Sequence, residues 1–155
     1  MDQFQKACNL VSKLLAQHPR TVVEIRKKLE GKNFEEKVVS KTIKYFLNQG
    51  FLSDEKYIEL WLENQLRYRP SSRAFCKKKL YEKGLNKNLI RKILDEKYSP
   101  DKEMEVAYQL ALKKVGKLKE RPQTNLVNTL GQFLDRKGFP ENVIWSVLER
   151  LRLVK

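Results

Sequence analysis

Few residues in this 155-residue chain belong to the types that do bond chemistry, and their spacing withholds most of it. There is one histidine, His18, and there are two cysteines, Cys8 and Cys76. A zinc site needs three or four ligands and a histidine-based triad needs an orienting partner, so a lone imidazole supplies neither. The cysteines stand in no CxxC or metal-ligand spacing, and the glycines form no Walker-type phosphate loop. The adjacent acids Asp54 and Glu55 follow Ser53. They read as the first turn of a helix, with the Ser53 hydroxyl accepting from an orphan N–H and both carboxylates favoured by the positive end of the helix dipole. No catalytic residue, metal or cofactor is expected.

What remains is charge. The stretch QLRYRPSSRAFCKKKLYEKGLNKNLIRK, residues 65–92, carries Arg67, Arg69, Arg73, Lys77, Lys78, Lys79, Lys83, Lys87, Arg91 and Lys92 against a single acid, Glu82. Acid-rich segments flank it, with Asp54, Glu55, Glu59 and Glu63 before and Asp95, Glu96, Asp101, Glu103 and Glu105 after. On a helix beginning near Ser72, Phe75, Cys76 and Leu80 are expected to point inward. Arg73 with Lys77, and Lys79 with Lys83, then form like-charge pairs one turn apart, each unfavourable by ~0.2–0.5 kcal/mol. A basic row held against that cost is expected to face anionic groups, of a nucleic acid or of an acidic protein surface. Tyr68 and Tyr81 are interleaved with it, packing being their first reading and base stacking their second.

The whole chain is basic, with 33 Lys and Arg against 19 Asp and Glu, a net charge of +14 and a pI near 9.8. Apolar residues make up 41%, which supports a folded core and excludes a disordered polycation. Two unpaired thiols suit a reducing compartment. The N-terminus, MDQFQKACNLVSKLLAQ, has an acid at position 2 and helical apolar spacing, unlike a signal peptide, and no run is long enough to cross a bilayer. A cytoplasmic protein is expected.

The elements positioning these groups are helices. In 53–68, Tyr57, Ile58, Trp61, Leu62, Gln65 and Leu66 fall on one helical face, and five prolines and six glycines are too few for a turn-rich β fold. The sequence also repeats itself. Leu29, Leu80 and Leu134 correspond at shifts of 51 and 54 residues, as do Asn33, Gly84 and Gly138, then Phe34, Leu85 and Phe139. Val38, Leu89 and Val143 continue the series, with Val39, Ile90 and Ile144, and Ile43, Leu94 and Leu148. Each unit reads as a helix ended by a residue that accepts the left-handed conformation, an apolar staple, and a second helix. A preceding helix, near 2–17, 54–68 and 102–119, completes a triplet, with Pro19, Pro70 and Pro122 closing it. Cys76 corresponds to Ile25 and Leu130, a core position where burial disfavours a thiolate. The fold expected is all-α, three tandem three-helix repeats (1–50, 51–100 and 101–155) in one elongated, curved module.

The segment 50–85 resembles the signature region of the bacterial RecX regulatory proteins, through Gly50, Phe51, Leu52, Asp54, Glu55, Trp61, Arg67, Arg69, Pro70, Leu80, Lys83, Gly84 and Leu85. LEGKNF in the first unit and FLDRKGFPENVIWSVLERL in the third resemble that family's outer repeats. Two positions depart: Asn33 stands where glycine is more usual, and Ser53 replaces one of an acidic pair. The resemblance implies a non-enzymatic, monomeric three-repeat protein that binds RecA filaments on single-stranded DNA, lies in their helical groove, and inhibits recombinase and ATPase activity. It makes the ten cations the contact row for filament protein or DNA, with Ser53, Asp54 and Glu55 as accompanying acidic or capping contacts. The residues alone leave two alternatives open, a general single-stranded nucleic-acid-binding module and a scaffold for an acidic protein.

Overall fold

The computed structural model describes residues 1–118 and 122–154. Among these every regular element is a helix, in the order α1 (Gln3–Gln17), α2 (Val22–Gly31), α3 (Glu36–Asn48), α4 (Asp54–Tyr68), α5 (Arg73–Glu82), α6 (Lys87–Lys97), α7 (Pro100–Lys117), α8 (Gln123–Arg136) and α9 (Glu141–Arg150). These are the three expected triplets. The third opens with the longest helix, whose expected last residue, 119, lies outside the described residues. No helix is long and apolar enough to cross a membrane.

Side-chain caps start most of the helices. Asp2 and Gln5 form a reciprocal capping box on α1. The hydroxyls of Thr21, Ser53, Ser72 and Ser99 accept from the N–H three residues on, at 3.0–3.2 Å, and Asn86 caps α6. Ser53 therefore does what its position promised.

The helix ends confirm the repeat more sharply. Asn33, Gly84 and Gly138 have φ of 65°, 83° and 88°, the left-handed caps expected of them. After α2 and α8 the next N–H reaches back five residues, Phe34 to the Leu29 carbonyl and Phe139 to that of Leu134. The staple side chain follows that bond into the core.

Two compact units are resolved, one of residues 1–60 and 80–90, the other of residues 61–79 and 91–155. The division passes through α4, α5 and α6. In the first unit α1, α2 and α3 bury Ala7, Val11, Ile25, Leu29, Val39, Ile43 and Phe46 together with Leu52. In the second, Ala107, Ala111, Leu130, Leu134, Phe139, Val143, Val147 and Leu148 form the core of α7, α8 and α9. Alanines at 107 and 111 let α7 approach its neighbours closely.

Within each unit a carboxylate from one repeat holds the second helix of the repeat before it. Asp54, the first residue of α4, accepts from the Val22 N–H that opens α2, at 2.9 Å. Glu103 of α7 accepts from the Arg73 N–H that opens α5, at 2.7 Å. A second close approach accompanies each contact. A Cβ on Gly84 would stand 3.0 Å from Val23 Cγ1, and one on Gly138 would stand 2.5 Å from Ser72 Oγ. Gly84 and Gly138 are thus fixed both by φ and by a neighbouring helix start. Asn33 needs only the φ, and it is exposed.

Candidate functional site

The ten cations of the central block fall into distinct environments. Arg67, in the last turn of α4, lies 3.8 Å from Glu63 in an exposed pair of little energetic weight. Arg69 follows α4, its backbone braced by Gln65, whose side-chain amide donates to the Arg69 carbonyl at 3.0 Å. Lys77, Lys78 and Lys79 are successive residues of α5, so their side chains leave about 100° apart around the exposed arc. They form a fan, with Lys77 on the side of Arg73 and Lys79 beside Phe75, its Nζ 5.5 Å from that ring. Lys83 follows α5, Lys87 opens α6, and Arg91 and Lys92 lie on its exposed face. In the division into compact units Lys83 and Lys87 belong to the first and the other eight to the second. For Lys77, Lys78, Lys83, Arg91 and Lys92 no carboxylate stands within ion-pair distance among the described residues.

Arg73 stands apart. Its Nε donates to the Tyr98 carbonyl at 2.6 Å and an Nη donates to Asp95 Oδ1 at 2.6 Å, leaving the side chain 24% exposed. The guanidinium sits at the C-terminal end of α6, where unpaired carbonyls and the dipole favour a cation. Its charge is satisfied within the fold.

The tyrosines differ from their first reading. Tyr68 is 71% exposed and Tyr81 53% exposed, so packing does not account for either, and Lys87 Nζ lies 4.7 Å from the Tyr81 ring. Among the acids, Asp54 turns inward to α2. Burial pushes its carboxyl above the ordinary value, opposed by the Val22 N–H. Glu55 remains exposed.

Both cysteine thiols are shifted upward by their surroundings. Cys76 is fully buried, and loss of solvent pushes its thiol up to about 11, against the weaker opposing effect of Ser71. Burial also raises Cys8, with Asp2 adding to it. No cluster of three or more His, Cys, Asp or Glu able to hold a metal occurs among the described residues.

Sequence reasoning missed several residues. Tyr98 is fully buried, and its hydroxyl donates to the Ser71 carbonyl at 2.7 Å. In the second unit a cleft brings Arg69 together with Phe75, Phe133, Arg136 and Lys137. One signal was present, since Lys137 corresponds to Lys83 in the repeat.

Comparison with known proteins converges on one family. A family model described as "RecX, first three-helix domain" matches residues 7–46. The chain is 31% identical over 152 residues to the Regulatory protein RecX of Clostridium perfringens (strain 13 / Type A), covering 97% of this chain and 70% of the relative. It is 27% identical over 152 residues to the Regulatory protein RecX of Amycolatopsis mediterranei (strain U-32), covering 97% and 86%. The crystal structure of RecX from Lactobacillus salivarius superposes with a TM-score of 0.85 over 97% of both chains at 23% identity, a likeness of fold.

Proposed function

The chain belongs to the RecX family of regulatory proteins, and from that premise we propose that it binds RecA filaments on single-stranded DNA and restrains their recombinase and ATPase activity. It acts in the cytoplasm as a monomer, without catalysis or cofactor. The observation that best supports a polyanionic partner is the set of exposed cations with no carboxylate in reach among the described residues, Lys77, Lys78, Arg91 and Lys92 in the second unit and Lys83 in the first. Such groups gain little from folding and much from phosphates or a carboxylate-rich protein face, where charge-assisted hydrogen bonds form. Arg67, Arg69, Lys79 and Lys87 extend the contact set. Arg73 positions α5 and α6 and contributes through them. Binding of this kind displaces condensed counterions where it meets DNA, so it weakens steeply with added salt.

The test is the steady-state ATPase rate of the cognate recombinase on single-stranded DNA, titrated with this protein. Inhibition at levels well below the recombinase supports capping or disruption of filaments. Inhibition only once the DNA is saturated sinks the filament reading. The double reversal Lys77→Glu with Lys78→Glu should abolish inhibition while preserving helicity. A second reading, a single-strand-binding module that acts without a recombinase, is favoured by the exposed Tyr68 and Tyr81 among the cations. It predicts tight, salt-sensitive binding to DNA alone.

A further inference from the structure

Within the second unit the cleft between the end of α4, α5 and α8 has a volume of about 540 Å³, inside the range of ~300–1,000 Å³ usual for sites that take a small molecule or one unit of a polymer. Its lining has an unusual composition. Arg69, Arg136 and Lys137 contribute three cations, and no carboxylate lines it. None of the three makes an ion pair among the described residues. Arg69 and Arg136 are exposed and Lys137 is half-buried, so all three charges are open to an incoming anion.

The floor is aromatic. Phe75 and Phe133 are half-buried, and both rings carry ammonium groups. Lys79 Nζ lies 5.5 Å from the Phe75 centroid, and Lys114 and Lys137 lie 5.1 and 5.6 Å from that of Phe133. A cation over a phenyl ring is weakly held at a partly exposed site. It is readily exchanged for a flat ring on the aromatic face and a phosphate on the nitrogen. A ligand offering both at once is a nucleotide whose base is unstacked, and this describes a single strand. A duplex keeps its base faces stacked on one another and offers only phosphates and base edges.

We propose that this cleft seats one nucleotide of single-stranded DNA. Arg69 and Arg136 hold the phosphate, the guanidinium fork matching its oxygens. Lys137 moves from ring to phosphate, and the base stacks on Phe133 with Phe75 beside it. The proposal deepens the reading that the chain works on single-stranded DNA, and it fixes one point of contact outside the central basic block, on α8. No covalent step is involved.

The test uses the full chain and no recombinase. Fluorescence anisotropy compares a short labelled oligothymidylate with an abasic strand of the same length. Wild type should bind the oligothymidylate more tightly. Arg136→Ala should weaken both strands alike and lower the salt slope by about one. Phe133→Leu, which keeps the apolar packing of α8, should weaken the oligothymidylate about tenfold and leave the abasic strand unchanged. Phe133→Trp should restore the preference, which separates stacking from loss of fold. The proposal is overturned if wild type does not distinguish the two strands, or if Arg136→Ala and Phe133→Leu both bind like wild type. It is also overturned if the variants lose ATPase inhibition with DNA binding intact, since the cleft then faces protein while the filament reading stands. Loss of DNA binding in the variants, with no effect of wild type on the ATPase, upholds the cleft and removes the filament.

Discussion

At the start of α2 the Val22 N–H is held by Asp54, and at the start of α5 the Arg73 N–H is held by Glu103. These are corresponding positions of the first and second repeats, each gripped by the first helix of the repeat that follows. The carboxylate comes from the first residue of α4 in one case and from the fourth of α7 in the other, where glutamate adds reach. The surroundings diverge more than the grip. Val22 is a hydrocarbon, whereas Arg73 carries its guanidinium to the end of α6, and Tyr98 donates to the Ser71 carbonyl below it. Leu47 stands at the corresponding place in the first repeat. The contrast teaches that the repeat preserves backbone problems, an orphan N–H and a close approach, and leaves side chains free to solve them. It also shows that charge density along a segment differs from charge on a surface, because Arg73 belongs to the fold.

The largest effect should come from the close approach itself. Gly138→Ala adds a left-handed alanine, unfavourable by ~1–2 kcal/mol, and drives its Cβ to 2.5 Å from Ser72 Oγ and 3.3 Å from Phe75 Cβ. Overpacking of that kind adds ~1–3 kcal/mol. At Gly84 the neighbours are the Cβ and methyls of Val23 at 3.0–3.2 Å, a milder overlap than the 2.5 Å approach at Gly138. Asn33→Ala meets the conformational cost alone. Denaturant midpoints should therefore fall in the order Gly138→Ala, then Gly84→Ala, then Asn33→Ala. Equal losses at the three sites would mean that φ alone selects glycine and that the close approaches carry no energy.

Next in size is Arg73. Arg73→Met removes two charge-assisted hydrogen bonds and keeps the stem, at a cost of about 2 kcal/mol. Lys77→Met, one turn along and exposed, should change stability by less than ~0.5 kcal/mol. In the ATPase assay their ranks should reverse once protein is corrected for folded fraction, with Lys77 mattering more. If Arg73→Met is as stable as Lys77→Met, the guanidinium is a surface group after all, and the distinction between the two junctions shrinks to Tyr98. For that residue Tyr98→Phe isolates a single buried hydroxyl, worth about 1 kcal/mol. Leu47, lacking any such bond, offers no counterpart loss in the first repeat.

The fold was legible because the repeat is written in residues with narrow conformational meaning. Asn33, Gly84 and Gly138 share one φ region, and apolar staples follow each. The core of α4 and the burial of Cys76 could be read from the same spacing. The candidate site was less legible. Periodicity shows which face of a helix is apolar, but it does not show what a charged side chain finds across a helix end. Arg73 was read as a contact because Asp95 and the Tyr98 carbonyl, more than twenty residues on, leave no local trace. Tyr98 stands where the first repeat has Leu47, so the repeat could not flag it. Arg136 escaped notice because its repeat partner is Glu82, and only folding brings it beside Arg69.

The smallest effect tests the two grips most finely. At Asp54 two influences oppose each other: burial raises the carboxyl pKa above the ordinary 3.8, and the Val22 N–H lowers it, with burial the larger. A carboxyl raised on folding binds its proton more tightly in the folded state. As pH climbs from the unfolded value toward the folded one, the native state therefore gives up a proton that the unfolded chain has already lost, and stability falls through that window. Asp54→Asn keeps an oxygen for the Val22 N–H and removes the titration. The Asn variant should be at least as stable as wild type at neutral pH, and wild type should gain on it as the pH is lowered toward 3.8. Asp54→Ala, which leaves the N–H without an acceptor, should cost about 1 kcal/mol at either pH. The opposite slope, with wild type ahead at neutral pH and the gap closing on acidification, would mean that the dipole of α2 outweighs the loss of solvent. In that event Asp54 is an electrostatic clasp, and the first junction has a charge holding it of the kind that Arg73 brings to the second.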